Sequence, residues 1–392
     1  MSDTGRIPVD RTTFLKRRIQ VKLKKIILAV ALLAVIIIAA VLFLVHYNNL
    51  EYTELRLLSV TDWHRSEAAT VLSYNGDLLS YSADGIHCTD SKGKDKWSVP
   101  FTMQKPFVRI AGNYVTCVDT GGRTVYVFDK NGQTASITEN NPVERVEISA
   151  GGMVAVVLND NDVTPIHLYD STGTQIASFR TTMSRSGYPV AIGISPNNRL
   201  VGVSYLYADS GAMTSKLAFY NFGDVGKNET DNVVSGYDNA GTLIPVLAFL
   251  DNDTAFALST ERLMIFDGSQ SPKRREEMPE LQGEVRAEYH GTDSIGLVYL
   301  DKSGQARYRM DIYNSKGEMR SSIYFNMEYD DIFFHDDRVV IYNAGECLIY
   351  KVNGVLKYHG DFKEPVKLMM PGDMTNRYKL ITESGIWLSV LK

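Results

Sequence analysis

Cysteine is scarce in this sequence, and that scarcity limits the chemistry open to the chain. Only Cys88, Cys117 and Cys347 occur; three cysteines cannot all pair, and each falls within a predicted strand. We interpret them as small apolar core residues, with one disulfide or a reactive thiol as the alternative. Because no Cys-x-x-Cys motif occurs, the sequence does not support a thiolate metal site or covalently bound haem.

Charged and polar side chains are absent from residues 26–45, an apolar run of twenty residues. As a helix this run would reach about 30 Å, the thickness of the hydrocarbon core of a bilayer. We predict a transmembrane helix over residues 26–46, rather than a buried core helix or a cleavable signal peptide. Residues 1–25 carry eight basic and two acidic side chains, which predicts a cytoplasmic tail and an exported remainder.

The predicted domain order is therefore a basic tail (1–25), the span (26–46), a stem (47–52) and an ectodomain (53–392). The whole chain has 41 basic and 46 acidic residues. Without the 8 basic and 2 acidic residues of the tail, 33 and 44 remain, a net charge of −11. An acidic ectodomain repels phosphate polymers, so we expect no nucleic-acid partner.

The most informative stretch of the ectodomain is Ile166–Phe179. Apolar and polar residues alternate on both sides of an Asp-x-x-Gly turn formed by Asp170 and Gly173, which predicts a β-hairpin. The same sequence pattern recurs at Ile86–Gly93, Val125–Gly132, Met310–Gly317 and Cys347–Gly354. Weaker copies of it are found at Leu217–Asn221 and Leu263–Asp267. The turns follow one another at 37 to 51 residues, and a period of about 40–50 residues with four strands is typical of a β-propeller blade.

The eighth repeat has only three predicted strands before the chain ends, while residues 53–60 form a predicted strand without a hairpin partner. Pairing the strand 53–60 with the strand 386–391 would complete the last blade and leave no open edge. We therefore predict an all-β, eight-bladed β-propeller with this closure. A seven-bladed ring is the alternative, in which residues 51–65 are only stem.

The segment Asp90-Ser-Lys-Gly-Lys-Asp-Lys-Trp97 resembles the repeat of quinoprotein-like propellers, and the other hairpins resemble blades of WD-like propellers. In the quinoprotein repeat a tryptophan closes the outer strand of blade after blade, whereas this chain has only Trp63, Trp97 and Trp387. The tryptophan count thus disfavours quinone binding and dehydrogenase activity. The whole layout is also similar to an uncharacterised family of Gram-positive single-pass membrane proteins with an exported propeller, which implies location and architecture.

Several acidic and histidine clusters suggest chemistry, yet each fits a structural role better. Asn159–Asp162 and Asp251–Asp253 offer oxygen ligands for calcium but fall where a hairpin must turn. Asp330 and Asp331 with His335–Asp337 flank the predicted innermost strand of the seventh blade. The remaining histidines have no ligand spacing, and the sequence has no Gly-x-Ser-x-Gly, no His-Glu-x-x-His and no phosphate loop. We expect no metal and no cofactor.

Two segments are longer than the blades require, Arg180–Tyr188 between blades and Tyr207–Ser215 inside the fourth blade. We predict that both are loops lining the central funnel, where propellers bind ligands, with a neutral insertion as the alternative. The candidate ligand-contact residues are Arg180, Arg185, Tyr188, Tyr207, Asp209 and Met213.

These features predict a binding module or scaffold for a protein partner in the cell envelope. The alternative function is an exported enzyme that acts on a wall polymer or glycan in the funnel. A third class, a redox quinoprotein, is disfavoured by the tryptophan count.

Overall fold

The computed structural model describes residue 25 and residues 27–43, 49–64, 69–161, 163–182, 187–209 and 212–392. The chain divides into two compact units, Met1–Glu51 and Tyr52–Lys392. In the first unit, residues 27–43 are helical and their large apolar side chains are exposed. None of the helices in the described ranges combines the length and the apolar character that crossing a bilayer requires.

The second unit is built from eight four-stranded sheets, the blades, in which successive strands run antiparallel. The first strand of each blade is innermost, because these strands contact one another between neighbouring blades. Blades 1 and 2 contain β2 (Thr70–Tyr74), β3 (Asp77–Ser82), β4 (Gly85–Thr89), β5 (Asp95–Pro100), β6 (Pro106–Ala111), β7 (Tyr114–Asp119), β8 (Thr124–Asp129) and β9 (Gly132–Thr138). Blades 3 and 4 contain β10 (Val143–Ile148), β11 (Val154–Leu158), β12 (Val163–Tyr169), β13 (Gln175–Thr182), β14 (Tyr188–Ile194), β15 (Leu200–Asp209), β16 (Ala212–Asn221) and β17 (Val233–Ala240).

The second half of the ring repeats this arrangement. Blades 5 and 6 contain β18 (Val246–Phe249), β19 (Thr254–Leu258), β20 (Leu263–Asp267), β21 (Lys273–Arg274), β22 (Val285–His290), β23 (Ser294–Leu300), β24 (Tyr308–Asn314) and β25 (Met319–Phe325). Blades 7 and 8 contain β26 (Asp331–His335), β27 (Arg338–Tyr342), β28 (Glu346–Lys351), β29 (Leu356–Asp361), β30 (Val366–Pro371), β31 (Arg377–Thr382), β32 (Gly385–Leu391) and the N-terminal strand β1 (Leu55–Thr61). Two 3₁₀ turns, Gly226–Asn228 and Thr230–Asn232, precede β17.

Strand β1 closes the ring. It pairs antiparallel with β32, from Leu55 opposite Leu391 to Thr61 opposite Ile386. The two backbones approach so closely at the far end that a Cβ atom on Gly385 would lie 2.3 Å from the Thr61 carbonyl oxygen. The predicted eight-bladed propeller is thus confirmed, including its closure, and the seven-bladed alternative is wrong because β1 supplies a full outer strand.

The hydrophobic core is a circle of eight clusters, one between each pair of neighbouring blades. The cluster between blades 8 and 1 joins Trp63 and Leu78 to Met370 and Ile381. The other seven clusters follow in order from blades 1 and 2 to blades 7 and 8. Each blade therefore buries apolar side chains on both faces. The five residues of β11 are accordingly all buried, as the apolar sequence of this strand predicts.

The repeated hairpin turns form as their sequence predicts. The Asp170 carboxylate accepts hydrogen bonds from the backbone amides of Thr172 and Thr174, both at 2.9 Å, and Gly173 adopts a φ of +83°. Asn314 accepts the equivalent pair of bonds in blade 6. A hydrogen bond from the Thr172 hydroxyl, together with the amide bonds from Thr174 and Thr172, holds the pKa of Asp170 below its usual value. The turn is therefore a local unit that the side chain at its first position stabilises.

Candidate functional site

Both segments with candidate ligand-contact residues lie at one end of the ring. Because successive strands alternate in direction, the turns between second and third strands share a face with the connections that lead from one blade to the next. We call this the upper face; the other turns lie on the lower face. The described residues of both segments are on the upper face: residues 180–182 end β13, residue 188 begins β14, and residues 207–209 and 212–215 belong to β15 and β16.

The segment Tyr207–Ser215 is mostly regular strand, so the prediction that it is a loop is wrong. Strands β15 and β16 have ten residues each and remain paired from Leu200–Asn221 to Asp209–Ala212. The outer strand follows them, with Ala240 opposite Thr214. Three paired strands satisfy each other's backbone groups, so the extra residues lengthen the blade into an upper-face extension instead of forming an irregular loop.

The extension of blade 4 helps to form a groove against the outer strand of blade 3. The groove has a volume of about 550 Å³. Its lining consists of Ser178, Phe179, Arg180, Thr181, Tyr205, Tyr207, Lys216, Ala218, Tyr220, Asp231 and Val233. We call it the lateral groove, because the strands that line it are β13 and the second to fourth strands of blade 4, not the innermost strands around the funnel. Arg180 and Tyr207 both line this groove, which lies outside the funnel where the sequence analysis expected them.

Aromatic side chains form the floor of the lateral groove. The rings of Phe179 and Tyr220 lie 4.7 Å apart, and the hydroxyls of Tyr205 and Tyr220 are hydrogen-bonded at 2.8 Å. Burial raises the pKa of both tyrosines, so both phenols are neutral at physiological pH. The floor is therefore an apolar surface whose polar atoms are already paired.

Charged side chains lie along the rim of the lateral groove. The exposed Arg180 guanidinium has no hydrogen-bond or ion-pair partner among the residues that the structure describes. The Lys216 ammonium lies 3.9 Å from the Asp238 carboxylate, a long contact between two exposed groups. An open guanidinium beside an aromatic floor is the combination that anchors partners at protein interfaces.

The remaining candidate residues are not brought into the groove lining. Tyr188 begins the innermost strand β14 and donates a hydrogen bond to Glu144, and burial, followed by this bond, raises its pKa to about 12. Met213 is 51% exposed near the tip of the extension. Asp209 ends β15 opposite Ala212. Arg185 lies outside the described residues.

Acidic and histidine clusters singled out in the sequence have structural partners. Asp251 accepts hydrogen bonds from two amides of its own turn, at 2.8 and 2.7 Å. Asp331 and His335 bound the innermost strand of blade 7, as predicted. His167 bonds to the buried Glu139 at 3.0 Å. The three cysteines are buried and unpaired, and burial raises the pKa of Cys88 to about 11.

Trp97, which carries the resemblance to quinoprotein repeats, serves blade packing. Its ring stacks on that of Phe128 in the next blade, with centroids 5.2 Å apart and an interplanar angle of 3°. The residues that the sequence reasoning missed are Phe179, Tyr205, Lys216 and Tyr220. The signal was the even spacing of Tyr205 with Tyr207, two residues apart, and of Lys216 with Tyr220, four residues apart, which places each pair on one face of its strand.

The fold and the groove define a class: an eight-bladed β-propeller whose longest blade forms a lateral groove with its neighbour. The sequence profile of a family of unknown function (DUF5711) matches residues 48–387. The chain belongs to this family. No curated protein sequence matches the chain.

Several solved structures resemble the chain. Sqt1 from Chaetomium thermophilum matches with a TM-score of 0.53 and 10% identity, over 87% of this chain and 100% of that one. Hsv2 from Kluyveromyces lactis matches with a TM-score of 0.47 and 10% identity, over 83% and 98%. The Pan2 WD40 domain from Neurospora crassa matches with a TM-score of 0.43 and 11% identity, over 86% and 97%. The likeness to Sqt1 supports the propeller fold alone.

Proposed function

We propose that this protein is a membrane-anchored β-propeller that acts as a binding module or scaffold for a protein of the cell envelope. Residues 1–25 form a cytoplasmic tail, residues 26–46 cross the membrane once, residues 47–52 are the stem, and residues 53–392 are the extracytoplasmic propeller. This arrangement is that of the Gram-positive membrane proteins which the layout resembles.

The anchor is supported by sequence and by exposure. Residues 26–45 contain no charged or polar side chain, and the preceding tail has eight basic residues against two acidic ones. In the helical residues 27–43, apolar side chains such as Leu28 (72% exposed) and Phe43 (65% exposed) are uncovered. A helix that is apolar on all sides needs either a protein core or lipid around it.

The lateral groove is the observation that carries the binding role. It offers a neutral aromatic floor, an open Arg180 guanidinium and a length of regular strand on each side. An extended partner segment could place apolar side chains on Phe179 and Tyr220 and a carboxylate beside Arg180. Asp231 is the only carboxylate among the described lining residues, whereas glycoside hydrolysis normally uses two, so the groove fits binding better than glycan cleavage.

Photo-crosslinking in cells tests this function. The full-length chain would carry benzoylphenylalanine in place of Tyr207, an aromatic residue that lines the lateral groove. The same label in place of Met374, 53% exposed in blade 8, provides a control outside the groove. We expect one discrete protein adduct from position 207 and none of the same mass from position 374. The substitution Arg180→Glu in the labelled chain should lower the adduct yield by at least about fivefold, because the rim charge is reversed.

A second charge reversal tests whether a lower adduct yield is specific to the lateral groove or follows from the change in net charge. Arg199→Glu alters an exposed arginine on the lower face of blade 4, outside the groove lining. We expect it to leave the adduct yield unchanged. An adduct that forms equally from positions 207 and 374, or that persists in the Arg180→Glu chain, would contradict a partner site in the lateral groove.

A further inference from the structure

Blade 5 has an outer strand of only two residues, and this shortening opens a second concave site. Strand β21 pairs with β20 only at Phe266–Arg274 and Asp267–Lys273. After it, the chain continues to β22 with one isolated bridge, between Arg262 and Glu280. Pro272 and Pro279 flank this stretch, and a proline lacks the amide that a strand ladder needs. The upper part of blade 5 therefore lacks a regular outer strand.

The space left between blades 5 and 6 is a cleft with a volume of about 600 Å³. It lies on the upper face, because the start of β18, the end of β19 and the start of β22 meet there. Val246, Leu258, Leu281 and Val285 supply its apolar lining. A volume of this size holds a drug-sized ligand or a few side chains of a peptide.

Carboxylates outnumber cations around the cleft and its continuation along the upper face. The charged lining residues are Glu261, Arg262, Glu280, Glu284, Arg286 and Glu288. Four carboxylates and two guanidinium groups give a net charge of −2. The Arg262 guanidinium is bonded to Glu280 at 2.8 Å, and Arg286 lies 3.9 Å from Glu284. Both cations therefore face carboxylates already, which leaves Glu261 without a described partner and Glu284 only weakly paired.

We propose that this cleft, which we call the acidic cleft, binds a basic peptide segment of a partner protein that presents an apolar side chain between lysines or arginines. The apolar side chain packs against Leu258 and Leu281, and the flanking cations lie near Glu261 and Glu284. Opposite charges at the rim fix the register of such a segment, while burial of the apolar side chain supplies affinity.

This site differs from the lateral groove in position and in chemistry. The lateral groove has an open arginine and an aromatic floor, so it favours a segment with a carboxylate, whereas the acidic cleft favours a cationic one. The proposal for the acidic cleft stands on its own residues and does not depend on the function of the groove.

Peptide binding to the full-length chain in dodecyl maltoside micelles tests the proposal. The probe is a fluorescein-labelled, end-blocked peptide Lys-Leu-Lys-Leu-Lys, compared with Glu-Leu-Glu-Leu-Glu and Lys-Ser-Lys-Ser-Lys. We expect saturable binding of the first peptide and at least about tenfold weaker binding of the other two. Glu-Leu-Glu-Leu-Glu lacks the cations, and Lys-Ser-Lys-Ser-Lys lacks the apolar side chains. Binding of the first peptide should weaken as salt is raised.

Charge reversals locate the binding. Glu261→Lys with Glu284→Lys should weaken binding of Lys-Leu-Lys-Leu-Lys by at least about tenfold at low salt. The matched control, Glu229→Lys with Glu383→Lys, makes the same change in net charge at exposed positions of blades 4 and 8. Leu281→Gln should weaken binding about fivefold at low and at high salt; because Leu281 also packs on the core between blades 5 and 6, circular dichroism at the binding temperature checks that this variant is folded. The proposal is overturned if the two double variants lose affinity equally, or if Glu-Leu-Glu-Leu-Glu binds as tightly as the basic peptide.

Discussion

The buried Glu139 carboxylate follows the outer strand of blade 2 and bonds to two side chains of β12 in blade 3. Its oxygens lie 3.0 Å from Nδ1 of His167, and the Tyr169 hydroxyl donates to Oε1 at 2.7 Å. Glu139 is only 6% exposed. Burial, and then the bond to Glu139, raises the pKa of Tyr169, so the phenol remains a hydrogen-bond donor at neutral pH. A cluster that could be mistaken for catalytic machinery is thus a link between blades.

Removal of this carboxylate should destabilise the propeller. Glu139→Ala leaves the buried Tyr169 hydroxyl and the partly buried His167 ring without their partner, and we expect the free energy of unfolding to fall by about 1–3 kcal/mol. Glu139→Gln keeps one acceptor oxygen and should cost less. Urea unfolding followed by tryptophan fluorescence measures both. The control Glu276→Ala alters an exposed residue and should change stability by less than about 0.5 kcal/mol; an equal loss in Glu139→Ala and the control would refute the link.

At the scale of one element, the Asp-x-x-Gly hairpin turn provides a test with a built-in comparison. Asp170 and Asn314 make the same amide bonds in different blades. The pKa of Asp170 is held below its usual value by its hydrogen bonds to Thr172 and Thr174, so the charged form stabilises the folded state. That contribution is complete above the pKa of an unfolded aspartate and is lost as the pH falls through the lower folded-state pKa.

The substitution Asp170→Asn keeps an acceptor oxygen but removes the charge, so it should lower stability modestly near pH 7 and reduce the loss of stability as the pH falls below about 4. Asp170→Ala removes the acceptor altogether and should cost about 1 kcal/mol at neutral pH. Thermal melts across this pH range would measure both effects. An Asp170→Asn chain that loses stability with acid as steeply as the original would contradict the role of this carboxylate.

Such turns were predictable because their cause is local. The residues that form the Asp170–Gly173 turn lie next to one another in sequence, and the same holds for the Asn75–Gly76 turn, where both residues adopt positive φ.

The lateral groove was predictable only in part. Its floor combines Phe179 of blade 3 with Tyr220 of blade 4, and the stacking of two blades brings them together. The number of residues between two turns does not distinguish a longer hairpin from a loop. For this reason Tyr207–Ser215 was predicted as a loop, although it is mostly strand.

At the scale of the whole molecule, the two proposed binding surfaces coincide with the two irregular neighbours in a regular ring. Blade 4 is lengthened by its ten-residue strands, and blade 5 is shortened at its outer strand. The other blades keep outer strands of six to eight residues. A uniform ring offers the same shallow clefts at every interface, so departures from uniformity are where concave surfaces of distinct chemistry can form.

Ring closure by β1 is the claim on which the architecture depends, and a cysteine pair in the full-length chain tests it. Ser59 lies opposite Leu388, so the pair Ser59→Cys and Leu388→Cys places two thiols on adjacent strands. The pair Ser59→Cys and Ser136→Cys, with the second position in blade 2, is the control, and the native cysteines are buried. The account predicts that mild oxidation links residues 59 and 388 into a faster-migrating band on a non-reducing gel and leaves the control unlinked. Failure of residues 59 and 388 to link, or equal linking of both pairs, would contradict a propeller closed by its N-terminal strand.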